Sequence, residues 1–251
     1  MDKLTIDSKW FQTLFPKGFT YPSSTIISGK GGSGKPLVEL SFVAEWIRNG
    51  KSVIGIPLQY PSPDFVHTAM AKLFDMNYND YSSQLAYLHF NPDVKKATKL
   101  NNQNIEANLL EKTQWEEAIN MAKSNLKVDE KNIMIFGAAF NLLLFAPKYK
   151  KEVLSRIKIL LKNFHPNTVM ISVSTSAMRE EIRTWEDTAD NLLYTSMDNN
   201  NQLWLRAERM KYDHYSDKEI PLPISKKEIK EMKDIALHSR NKIIPKLKKM
   251  V

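Results

Sequence analysis

A chain of 251 residues with 42% hydrophobic and 25% charged side chains is long enough for one large α/β domain and short for two. It contains no cysteine, which excludes a disulfide framework and a thiolate zinc site, and no apolar run approaches the roughly 18–20 residues that cross a bilayer. The net charge of +8 suggests contact with phosphates, but a surplus of six sits between Lys226 and Val251, leaving residues 1–225 nearly neutral.

In chain order, Thr25 to Ser28 reads as a buried strand that runs into the glycine-rich stretch Gly29 to Gly34. A helix follows, with Leu37, Leu40, Val43, Ala44 and Ile47 on its inner face and Asn49-Gly50 as its stop. Ser52 to Leu58 reads as a second strand. Ser62-Pro63 opens another helix, carrying Phe65, Val66, Ala69, Met70, Leu73 and Phe74 inward. From Asn91 to about Glu111 the chain is polar and Asn-rich, which fits either a loop or a weak helix. Trp115, Ile119 and Ala122 mark a helix before the strand Asn132–Phe136, and Val153, Ile157, Leu160, Leu161 and Phe164 mark one before the strand Thr168–Ser174.

Two further strands, Asn191–Met197 and Gln202–Arg209, flank Asp198-Asn199-Asn200-Asn201, a composition suited to a hairpin turn. After Pro221-Leu222-Pro223-Ile224, Ser225 and Glu228 form a capping-box pattern for a basic helix that should stop before Pro245. Strands alternating with helices predict an α/β fold: a mostly parallel central sheet flanked by helices, closed by a C-terminal hairpin. We divide it into a domain over 1–225 and a basic tail helix over 226–251.

Gly29-Lys30-Gly31-Gly32-Ser33-Gly34-Lys35 follows a strand and opens a helix, the setting in which G-x-x-x-x-G-K binds phosphate. Glycines let backbone N–H groups turn inward, the helix N-terminus adds partial positive charge, and Lys35 reaches the outer phosphates. Pro36 then breaks the pattern. Serine or threonine there would give Mg²⁺ a hydroxyl and a phosphate a backbone N–H; proline has neither, though it fits a first helical turn. Nucleotide binding through Gly29 to Lys35 is therefore expected to be residual, with ATP or ADP held weakly and Mg²⁺ not held by the protein. Lys30-Gly31-Gly32-x-Gly34-Lys35 also matches the signature-lysine loop of the MinD/ParA class, whose later motifs are absent, so Lys30 is read as extra charge beside the loop.

The chain resembles the RecA/KaiC-like ATPase superfamily, most nearly its single-domain archaeal members. The resemblance begins at Phe15-Pro16-Lys17-Gly18 and Thr25 to Gly29. It resumes at Glu186-Asp187-Thr188-Ala189-Asp190 (the family's E-x-x-A-D), at Arg209-Met210-Lys211 with His214, and at Ile220-Pro221-Leu222-Pro223-Ile224. It implies a RecA-like P-loop fold and an oligomer with itself or with a related paralogue. It also implies acids that this chain lacks. A catalytic glutamate is expected just after the second strand, where Gln59 stands; glutamine orients a water but does not accept its proton. The Walker B acid is expected at the end of the third strand, where Gly137 stands.

With Pro36, Gln59 and Gly137 together, metal neutralisation and water activation are both missing, and phosphoryl transfer depends on them. The resemblance thus points to a pseudo-ATPase acting as a binding, regulatory or assembly subunit. One alternative is a slow ATPase using displaced acids, Glu39 or Asp64. Another is a nucleic-acid-binding recombinase paralogue, working through the tail and through the loops near Ala138–Lys148 and Ser176–Asp187. The second of those loops carries Arg179, Arg183 and Trp185, with Trp185 read rather as core or subunit contact.

By the same resemblance, Arg209 and Lys211 could reach a phosphate bound by a neighbouring subunit; an ordinary solvated hairpin face is the preferred reading. On the tail, Ile229, Met232, Ile235/Ala236, Ile243, Leu247 and Met250 recur at helical spacing among lysines. Residues 226–240 are expected to dock on the sheet, with the stretch from Lys242 freer to act as a contact arm. The start Met1-Asp2-Lys3-Leu4 lacks the apolar core of a secretory signal, so a cytoplasmic location is expected.

Overall fold

The computed structural model describes residues 1–59, 64–126 and 128–250, apart from some side chains between 226 and 242. Twelve strands and eight α-helices are described. The strands are β1 (Asp2–Leu4), β2 (Phe19–Tyr21), β3 (Ser24–Gly29), β4 (Ser52–Gly55), β5 (Leu85–Phe90), β6 (Thr98–Lys99), β7 (Asn104–Ala107), β8 (Ile133–Ala138), β9 (Thr168–Ser174), β10 (Asn191–Met197), β11 (Leu203–Met210) and β12 (Ile220–Pro221). The helices are α1 (Lys9–Leu14), α2 (Lys35–Arg48), α3 (Asp64–Phe74), α4 (Tyr78–Tyr81), α5 (Lys112–Leu126), α6 (Lys150–Lys162), α7 (Arg179–Glu186) and α8 (Lys226–Lys248).

Ten strands form one sheet in the order β12-β11-β10-β3-β9-β8-β4-β5-β7-β6. From β10 to β7 every neighbouring pair is parallel, and the antiparallel strands β11, β12 and β6 lie only at the two edges. β1 and β2 pair separately.

Because successive strand residues face opposite sides, the sheet divides its apolar residues between two cores. Ile27, Met134, Phe136 and Met170 face a core built with α1, α2 and α3. Their neighbours Ile26, Ile133, Ile135 and Ile171 face a second core built with α5, α6 and α7. Phe42, fully buried on α2, meets Phe19 edge to face at 4.9 Å and anchors the first core. The strands are buried on both sides, as a parallel sheet covered by helices requires.

Three sequence expectations change. Leu85–Phe90 is a strand that the reading above leaves unassigned, and the Asn-rich stretch holds β6 and β7 rather than a helix. The second strand is shorter than Ser52 to Leu58, because Leu58 and Gln59 already turn; Tyr60 and the expected helix start at Ser62-Pro63 lie outside the described residues.

α8 continues through Pro245. A proline removes only one backbone donor, and here it stands in the last turn, where the residues beyond it are held by packing. Leu247 is fully buried, and Ile243, Ile244 and Met250 join it in the second core. The end of the tail is therefore docked rather than free. The packing of Ile229, Met232, Ile235 and Ala236, and the Glu228 half of the capping box, lie outside the described residues. Among the described residues no helix is long and apolar enough to cross a membrane.

Candidate functional site

β3 delivers Gly29 to the carboxyl end of the sheet, and α2 begins at Lys35. The turn between them depends on Gly34, whose φ of 70° is left-handed and whose missing Cβ would lie 2.3 Å from Leu203 Cδ1. Pro36 sits in the first turn of α2, where its missing N–H has no helical partner to lose.

The loop is closed on its own lysine. The Lys35 ammonium donates to the carbonyls of Gly29 (3.0 Å) and Lys30 (2.6 Å) and to Ser33 Oγ (3.3 Å). Ser33 Oγ in turn lies 2.7 Å from Thr195 Oγ1 of β10, and Gly31 N donates to Ser176 Oγ at 2.9 Å. Lys30, Gly31 and Gly32 are exposed, whereas Ser33 and Lys35 are buried. A strand, a glycine turn and an inward lysine are thus assembled around one loop.

The strand end carrying Gly137 is built differently from what an acid there would need. A Cβ on Gly137 would lie 2.3 Å from Phe140 Cε2 and 2.7 Å from the Ile56 carbonyl. In place of a strand carboxylate, α2 sends in Glu39, one helical turn beyond Pro36, whose Oε1 accepts from Gly137 N at 3.0 Å. Glu39 is fully buried; burial pushes its carboxyl up to about 8, against the pull of the Gly137 N–H and the nearby Ser172 hydroxyl. Near neutrality it is mainly protonated. The sequence names Glu39 among possible displaced acids, and the crossing of α2 over β8 shows that it meets the Gly137 N–H.

Gln59 is half-buried in the turn after β4, and Asp64 is exposed at the start of α3. Among the described residues no group of three or more His, Asp or Glu is placed to hold a metal ion.

The E-x-x-A-D segment fastens α7 and β10 to β3. Buried Glu186 accepts from Ser28 Oγ at 2.5 Å and from Arg179 Nη1 at 2.8 Å on each oxygen. Asp190 accepts from Lys211 Nζ at 2.7 Å, and its own N–H donates to Ser24 Oγ at 3.0 Å. Arg209 donates to the carbonyls of Glu186 and Ala189. Arg209 and Lys211 are therefore both engaged within the chain.

Trp185 is fully buried and donates Nε1 to the Leu154 carbonyl at 3.1 Å, while Arg183 on the same helix is exposed. Replacing Arg209 by alanine would leave two carbonyls short of a donor. The expected cost is about 1–3 kcal/mol in a urea melt, with no change in light scattering if its role is confined to the chain.

A mostly parallel sheet with a glycine loop at its centre and an antiparallel edge hairpin defines an α/β fold of the RecA-like kind. The structure is similar to the crystal structure of a KaiC-like protein from the hyperthermophilic archaeon Pyrococcus horikoshii OT3. The TM-score is 0.64 at 18% identity, with 89% of this chain and 94% of that chain covered. At that identity the likeness establishes the fold alone. Neither a family model nor a curated protein sequence matches the chain.

Proposed function

We propose that this RecA-like chain is a pseudo-ATPase: a binding, regulatory or assembly subunit that keeps the phosphate loop and has given up hydrolysis. The observation that carries this reading is the filled strand end at Gly137, where Phe140 takes the room of an acid side chain and Glu39 takes the backbone donor. Pro36 supplies no hydroxyl, Gln59 is not a base, and Glu39 is neutral and without access to solvent water. A magnesium ion therefore finds no charged ligand among Pro36, Gln59 and Glu39.

What remains is anion binding. Lys35 would exchange the carbonyls of Gly29 and Lys30 for phosphate oxygens, with the loop N–H groups and the start of α2 adding donors. Such a ligand could act structurally by ordering the loop against Ser176 and Thr195, and so bias assembly with a second copy or with a related paralogue.

The test is a titration with a fluorescent ATP analogue, with and without Mg²⁺, followed by light scattering and by phosphate release. Affinity should change less than about twofold with metal, fall roughly tenfold or more in Lys35→Ala, and yield no phosphate. Metal-dependent turnover that Lys35→Ala abolishes would overturn the reading.

A further inference from the structure

A second concavity lies away from the glycine loop, at the carboxyl ends of β4, β5 and β7 and beneath the end of α8. It shares no residue with 29–35, and in the sheet β9 and β8 stand between β3 and β4. Its volume is about 660 Å³, inside the range of about 300–1,000 Å³ that small-molecule sites occupy. The crevice outside the carboxyl ends of parallel strands is also where α/β sheets characteristically take ligands.

The lining is divided by chemistry. Leu58, Leu88 and Leu247 are buried and form apolar walls, with the half-buried rings of Phe90 and His89 beside them. The polar groups are already partly committed. Asn91 donates an amide N–H to Glu106 Oε1 at 3.0 Å, and its Oδ1 accepts from Asp93 N at 3.0 Å. His89 Nε2 is 2.7 Å from Asn104 Oδ1. Asn91 is thereby a positioning residue that fixes Glu106, whose carboxylate oxygens serve as acceptors. A ligand must bring the N–H donors.

It should also be flat and apolar on its faces, to lie against rings and leucines. It should be uncharged there, since Lys246 stands at the α8 side and opposes a second cation. Lys246 is held to Asp93 only loosely, at 3.6 Å with both side chains largely exposed, so it can turn to an anionic group at the mouth.

We propose that this cavity binds an amino-bearing nucleobase, adenine or cytosine in kind, with Glu106 accepting from the exocyclic amine. A carboxylate accepting from such an amine is an established way to read cytosine, and a carbonyl in the amine's place meets the carboxylate lone pairs directly.

The experiment titrates the full chain with adenosine, cytidine, inosine and uridine, which carry no phosphate and so leave the glycine loop out of the measurement. Adenosine or cytidine should bind, with inosine and uridine at least about tenfold weaker, and Glu106→Gln should erase that preference because an amide both donates and accepts. Proton and methyl NMR of the wild type, reading His89, His238 and Leu88, locates the ligand even if Glu106→Gln does not fold.

A hexamer of deoxyadenylate decides the source. Tighter binding that weakens steeply with salt means a base presented by an unpaired strand, and affinity equal to adenosine means a free nucleoside; both support the site. Absence of any shift at His89 or Leu88 with millimolar nucleoside overturns the proposal. So does equal affinity for inosine, or a simple alkylamine binding in preference. None of these outcomes bears on binding of the ATP analogue at Lys35.

Discussion

Raising the pH from 5 to 9 should destabilise this protein, and replacing Glu39 by glutamine should remove most of that loss. The sign follows from which state holds the proton. Folding lifts the Glu39 carboxyl from the ordinary carboxylate range near 4.5 to about 8, so between those values the folded chain keeps a proton that the unfolded chain has released. Stability is full below about 4.5, falls as pH rises, and levels off above about 8. The slope inside that window approaches about 1.4 kcal/mol per pH unit, a total of several kcal/mol and a large share of a normal domain's stability.

Glutamine keeps the acceptor for Gly137 N and cannot ionise. The difference in unfolding free energy between wild type and Glu39→Gln, measured by urea at each pH, isolates this one group from the rest of the titration. It should change steadily across the window against the wild type. A difference that stays constant from pH 5 to 9 would mean that Glu39 is not held neutral. Lys35, one turn earlier on α2, spends its ammonium on Gly29, Lys30 and Ser33. Ionising Glu39 therefore strains the contact between α2 and β8 directly behind the glycine loop.

Local chemistry made much of this molecule legible in advance. The strand into Gly29, the helix after it and the hairpin through Asp198 to Asn201 all follow from periodicity and turn residues, and they appear in the structure. Leu85–Phe90 escaped because its first four residues are all buried and so show no alternation, although Asn91-Pro92 closes its end. β6 and β7 escaped because asparagines that look like loop residues are instead bound to one another. Asn101 Oδ1 accepts from both Gln103 N and Asn104 N, which turns the chain between the two strands.

At the site, the sequence singled out Pro36, Gln59 and Gly137. It offered Glu39 as a displaced acid but could not show where that residue lands, since Glu39 and Gly137 are 98 residues apart and meet only through the packing of a helix on a sheet. The tail shows the same limit. A proline rule read locally places the helix end before Pro245, while the burial of Leu247 in the second core carries the helix past it.

Placing an acid at this strand end by Gly137→Asp should bring no turnover and should damage the fold. The new Cβ would lie 2.3 Å from Phe140, which is fully buried and packed edge-on to Trp115 at 6.2 Å, and 2.7 Å from a backbone carbonyl that cannot retreat. Overpacking of this kind costs roughly 1–3 kcal/mol. The carboxylate would also be buried beside Glu39, adding a few kcal/mol of desolvation unless one of the pair stays protonated.

The variant should therefore unfold at markedly lower urea, and more so at alkaline pH, where neither acid can remain neutral. Pairing it with Phe140→Ala relieves the ring contact but opens a cavity, so the double variant should recover only part of the loss. Neither variant should release phosphate from ATP, because Pro36 still offers no hydroxyl and Gln59 still accepts no proton. A stable Gly137→Asp protein with metal-dependent turnover would show that one acid was all that the site lacked. The arrangement of Phe140 and Glu39 argues the reverse: the surroundings of position 137 leave no room for a side chain.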